Sequence, residues 1–169
     1  MTTSIQDVIN YLDDTLHPEY QEDYDNSGFL LGEGDTTYSG SLVVLDLTDE
    51  AVDEALALGL NLIVTHHPFI FGGVKRITDS DSLGRLIMKL INHNLSVYAA
   101  HTNLDNMPEG VSGILCEKLG LIDCRILGLR SDNEAIGGGM VGMLPEAMQK
   151  EDFLLKVKAL TGQIGRASC

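Results

Sequence analysis

Apolar residues recur at spacings of three and four from Ile5 through Val8, Ile9 and Leu12 to Leu16, where His17 and Pro18 interrupt the pattern. With Ser4 ahead of them as a cap, this spacing predicts an amphipathic helix whose stripe faces a core. Residues 19–40 are polar and rich in turn formers apart from Phe29, Leu30 and Leu31, and read as loop with a short buried piece. Residues 42–47, LVVLDL, form a compact apolar run, and Thr48, Asp49 and Glu50 then supply a cap and two acids suited to a helix N-terminus. That helix runs to about Leu58, with Gly59 as its stop, and Leu62, Ile63 and Val64 read as a second buried strand. Leu83, Leu86, Ile87 and Leu90 mark a third helix, and residues 95–100 a third strand. Val111, Ile114, Leu115 and Leu119 mark another helix ended by Gly120, and residues 151–160 a last one.

Strands and helices alternating at this spacing imply parallel strands joined by crossover helices. The expected class is α/β, with a mostly parallel sheet carrying helices on both faces. In such sheets the ligand crevice lies beyond the carboxyl ends of the strands. Two histidine-bearing segments, VTHHP at 64–68 and AAHTNLD at 99–105, sit at such ends.

Composition narrows the partners. With 25 acidic against 11 basic residues, the net charge of −14 opposes binding to nucleic acid or anionic membranes. No apolar run reaches the roughly 20 residues of a membrane span, and three cysteines without CxxC spacing fit a reduced, cytoplasmic protein. At 169 residues the chain is read as one domain.

Proline after His67 biases that residue toward an extended backbone, and extended neighbours point to opposite sides. One ion could not easily take both His66 and His67, whereas two ions between splayed rings could each take one. Asp105 is then the natural oxygen ligand, with His101 and Asn103 placed to orient ligands. A histidine pair beside a proline is equally compatible with a packed turn. Imidazole donors favour zinc, iron or manganese over magnesium.

Two other motifs lead nowhere. Residues 137–142 satisfy GxGxxG, but Met143, Leu144 and Pro145 follow where a helix should open. Asp23, Asp25 and Gly28 mimic the start of a calcium loop whose twelfth position is Gly34 rather than a glutamate, so Asp25 and Asn26 read as turn residues serving the backbone.

Longer segments carry a resemblance. VTHHPFIFGGVKRIT, then YAAHTNLDNMPEGVSGIL, with YDNSGFLLG at 24–32 and IGGGMVGMLPEAMQKEDFLLKVK at 136–158, resemble the NIF-three-like family, whose bacterial members are labelled type 2 homologues of GTP cyclohydrolase I. The resemblance implies a NIF-three-like α/β metal-binding domain over residues 1–169 and a centre of two divalent ions, with His66, His67 and Asp105 as ligands. It further implies ring-shaped homohexamers and a nucleotide-like substrate cleaved at a cyclic amidine C–N bond. In relatives a further histidine and a bridging glutamate come from a C-terminal segment without counterpart in these 169 residues, so an incomplete centre and an exposed apolar patch are expected. His101 is the candidate proton carrier. Metal binding ranks first, including an assembly protein that exchanges ions or holds partners without turnover; metal-dependent hydrolysis of a nucleotide or related ring ranks second, and an inactive remnant third.

Overall fold

The structure is a computed structural model that describes residues 2–130, 133 and 135–162; Cys169 lies outside the described residues. The chain divides into two compact units, Met1–Leu104 and Asp105–Cys169, where the sequence reads as one domain.

In the first unit, helix α1 spans Ile5–Leu16. Ser4 Oγ accepts from Asp7 N–H while the Asp7 carboxylate accepts from Ser4 N–H, a reciprocal cap that fixes where the helix starts. His17, at φ 48°, ends it in the left-handed conformation ahead of Pro18. The polar stretch that follows contains strand β1, Gly28–Leu31, where the sequence suggests only loop with a buried piece. Strand β2, Ser41–Val44, then leads through helix α2, Asp49–Ala57, to strand β3, Leu62–Thr65. Helix α3, Ser82–Asn92, connects β3 to strand β4, Ser96–Ala99.

The strand order is β1-β4-β3-β2. Strands β2, β3 and β4 are parallel, as expected from the alternating pattern, and β1 runs antiparallel on the edge beside β4. Pleat alternation sends neighbouring side chains to opposite faces. Ile63 and Val97 pack with Val52 of α2 and with Leu86 and Leu90 of α3 on one face. Leu62 and Tyr98 pack with Ile5 and Ile9 of α1 on the other. Helices therefore cover both faces. Ile9 and Leu90 are buried, and truncating either to alanine should cost about 2–5 kcal/mol.

The register positions the site. Val44, Thr65, Ala99 and Gly28 stand across from one another, so three strands end and the antiparallel one begins at a single sheet edge.

The second unit opens at Asp105, the last residue of the short helix α4, Thr102–Asp105. It holds helix α5, Val111–Leu119, the antiparallel pair β5, Ile122–Leu129, and β6, Gly137–Met143, and helix α6, Lys150–Thr161. The GxGxxG stretch thus lies in a strand rather than a phosphate-binding turn. Gly137 is needed there because a Cβ would meet the Gly128 carbonyl oxygen at 2.1 Å. Cys116 and Ile136 are this unit's buried hydrophobic residues among those described, whereas Leu127, Leu129, Met143 and Leu155 stand largely exposed.

Candidate metal centre

At the common sheet edge the chain bends immediately after β3, at His66 and His67. Backbone pairing continues through the bend, with His66 N–H donating to the Val44 carbonyl and His67 N–H to that of Leu45. Because these residues are no longer pleated, strand alternation does not splay them. Their ring centroids lie 5.0 Å apart, correcting the expectation of opposite-facing rings. His101, just past β4, brings its ring to 5.2 Å from that of His66 and 5.5 Å from that of His67. One ligating atom from each ring falls within 4.8 Å of the others.

Each ring is fixed by an acceptor on Nδ1. His66 Nδ1 donates to the Ala100 carbonyl at 2.7 Å, His67 Nδ1 to Asp46 Oδ1 at 2.7 Å, and His101 Nδ1 to Asp25 Oδ1 at 2.8 Å. Carbonyl and carboxylate oxygens only accept, so each Nδ1 carries the hydrogen and the neutral ring keeps its lone pair on Nε2. Outer-shell acceptors of this kind characterise histidines that ligate metals. Three such imidazoles suit zinc, iron or manganese better than magnesium.

The acceptors differ. Asp46 lies two positions beyond β2 and is exposed. Asp25, three positions before β1, has no exposed side-chain surface. Its Oδ1 also accepts from Asn26 N–H, and its Oδ2 accepts from the Thr102 amide and hydroxyl and from the Ser27 hydroxyl. Burial alone would raise this carboxyl, but the hydrogen bonds from Thr102, His101 and Asn26 outweigh it and hold the group at about 2. Asp25 therefore does more than serve its own turn: it joins the β1 approach to the β4 exit.

Asn103 does not orient a ring. Buried completely, it accepts from the His101 amide and donates to the Leu16 carbonyl, tying the site loop to the end of α1. Within the first unit the convergent group is the three histidines. Asp105, the expected oxygen ligand, ends α4 and opens the second unit. His17 instead stacks on Tyr20, and His93 caps α3.

The sequence reads Asp25 chiefly as a turn residue and gives Asp46 no role. An acid inside LVVLDL, at the end of a strand parallel to the one feeding His66, was the available signal for Asp46. For Asp25 none existed beyond the YDNSGFLLG match, since its partner lies 76 positions away.

The model of the Duf34/NIF3 (NGG1p interacting factor 3) family matches residues 3–168. A Clostridium acetobutylicum protein named GTP cyclohydrolase 1 type 2 homolog is 33% identical over 149 residues, covering 88% of this chain and 55% of that protein. A Clostridium perfringens protein of the same name is 32% identical over 158 residues, covering 94% and 60%. The crystal structure of a Staphylococcus aureus hypothetical protein superposes with a TM-score of 0.89 at 28% identity, covering 98% of this chain and 66% of that one. A Bacillus cereus protein related to NIF3 gives a TM-score of 0.72 at 33% identity, covering 77% and 36%. The chain thus spans little more than half the length of the two Clostridium relatives.

Proposed function

This chain belongs to the Duf34/NIF3 family, and on that premise we propose that its three converging histidines serve a divalent-metal centre of a metal-dependent hydrolase. The observation that carries the reading is that all three Nδ1 atoms are hydrogen-bonded to acceptors, which leaves the ring lone pairs on Nε2. In this reading His66 and His67 hold metal through Nε2, and Asp105 adds the oxygen ligand that the family resemblance implies. Bound zinc, iron or manganese would supply a water of lowered pKa and polarise the bond under attack.

The remaining residues orient the site and move protons. His101 is the residue to take up and return a proton at Nε2, its ring held in place by the Nδ1 hydrogen bond to the buried Asp25 carboxylate. Asp46 keeps the His67 ring turned inward. We extend the family premise to a cytoplasmic homohexamer holding two ions per subunit and acting on a nucleotide-like cyclic amidine. Among the described residues no helix is long and apolar enough to cross a membrane.

Elemental analysis of the purified chain beside a His66→Ala/His67→Ala variant tests the centre. About two transition-metal ions per chain, lost in the variant, is the expected result. A metal-free unmodified chain overturns the reading. Hydrolysis assays on the loaded protein with GTP then separate a hydrolase from a metal-binding protein without turnover, and His101→Ala should keep the metal while losing turnover.

A further inference from the structure

The first 74 residues contain fourteen acidic residues and neither a lysine nor an arginine. All four cations of the first unit fall between Lys75 and Lys89. Two are engaged: Lys89 pairs with Asp49 at 3.3 Å and Asp53 at 2.8 Å, and the Arg85 guanidinium donates to the Asp79 carbonyl. Lys75 and Arg76 are exposed and make no hydrogen bond or ion pair among the described residues.

Both line an open groove of about 510 Å³ together with Phe71, Asp81 and Ser82. The acid in that lining is already engaged, since Asp81 Oδ1 accepts from Gly84 N–H at 2.7 Å as the cap of α3. The groove adjoins the histidines. The Phe71 ring lies 6.3 Å from that of His101 and 6.4 Å from that of Tyr24, and both Phe71 and Tyr24 are exposed. Asn26, next to Asp25, pins the start of this segment by donating to the Ile70 carbonyl at 2.6 Å.

We propose that the groove lined by Phe71, Lys75 and Arg76 is an anion subsite that takes the phosphate of a small phosphorylated molecule, with a planar ring of that molecule laid on Phe71. The subsite deepens the reading of the histidine centre and rests on it for the position of the reacting bond. Three observations converge. An acidic protein repels anions over most of its surface, so a phosphate needs local cations. The unpaired cations of the first unit line this one groove. A guanidinium beside an ammonium matches phosphate oxygens, and an exposed aromatic face one ring away from His101 provides a stacking platform for the rest of the ligand.

Titration calorimetry of the full chain with inorganic phosphate and with phenyl phosphate, metal content being measured in parallel, tests the assignment. Phenyl phosphate should bind more tightly than inorganic phosphate. Lys75→Ala/Arg76→Ala, two exposed positions, should weaken both by about tenfold with metal content unchanged. Phe71→Ala should abolish the preference for the aromatic ester. Affinity unchanged within about twofold in the double variant, or no binding to the unmodified chain, overturns the subsite. So does phosphate binding that is lost in His66→Ala/His67→Ala yet kept in the double variant, because the anion then sits at the metal. A metal-free chain whose double variant still loses phosphate sinks the metal reading and keeps the groove.

Discussion

His101 Nδ1 donates to Asp25 Oδ1 across 2.8 Å, and the carboxylate it meets has no exposed surface. Removing the charge while keeping the shape is therefore informative. In Asp25→Asn an amide can meet His101 as donor or acceptor, so the ring loses its reason to hold the hydrogen on Nδ1. Turnover should fall about 10- to 100-fold with the metal retained. The imidazole ¹⁵N shifts of His101 should report a mixed tautomer, whereas a purely structural role would leave them unchanged. Unaltered shifts would refute the positioning role.

Asp46 makes the equivalent contact in the open. Its side chain is 59% exposed, so the hydrogen bond with His67 contributes less than about 1 kcal/mol to folding. Asp46→Asn should leave the melting temperature almost unchanged yet weaken metal binding about tenfold, a separation visible by comparing thermal melts with metal titration.

Tyr98 sets an alkaline limit. Its buried hydroxyl donates to Asp13 Oδ1 at 2.9 Å; burial first, then that hydrogen bond and the nearby Asp13 and Glu19 charges, push its pKa far above the usual tyrosine value. A raised folded-state value means the contribution is complete below the unfolded value and is lost as pH rises past it. Stability should decline above about pH 10. Tyr98→Phe should lower stability at neutral pH by about 1 kcal/mol and flatten the alkaline decline, as denaturant titrations between neutral pH and the alkaline limb would show.

Asn103 ties two segments through one buried amide, accepting from His101 and donating to Leu16. Asn103→Ala strands a backbone donor and acceptor and should cost about 2–3 kcal/mol. Chemical denaturation measures this directly, and a cost below 0.5 kcal/mol would contradict full burial of that bond, which is worth about 1 kcal/mol or more.

The second unit exposes Leu127 and Leu129 on β5 and Leu155 on α6, and α6 has no buried residue. Such a surface associates. Light scattering should show a mass that grows with concentration, and Leu127→Glu/Leu129→Glu should reduce that growth.

Local signals were legible in the sequence and long-range ones were not. Ser4 and the Ile5, Ile9 spacing predicted α1 because cap and stripe lie within a few positions of one another. The parallel order of β2, β3 and β4 followed from alternation of the elements. Strand β1 was missed because four residues in a polar stretch become a strand only through pairing with β4. The histidines of VTHHP and AAHTNLD were assigned to one crevice, but the mutual facing of their three rings was not. Strand alternation was applied at His66 and His67, two residues past the point where the strand ends and the chain bends. Asp25 was read as serving its own turn because nothing local announces a partner on the far side of β4.

His66 Nδ1 donates to Ala100 one step beyond the Ala100 N–H to Thr65 carbonyl bond, which makes the imidazole a side-chain rung on the β3–β4 ladder. The donor nitrogens therefore share a timetable as well as a location. On a ribosome, Asp25 and His66 emerge before the β4 exit that supplies their partners, His67 emerges after Asp46, and His101 arrives last. The group of three rings is therefore complete only once the whole of β4 has been made.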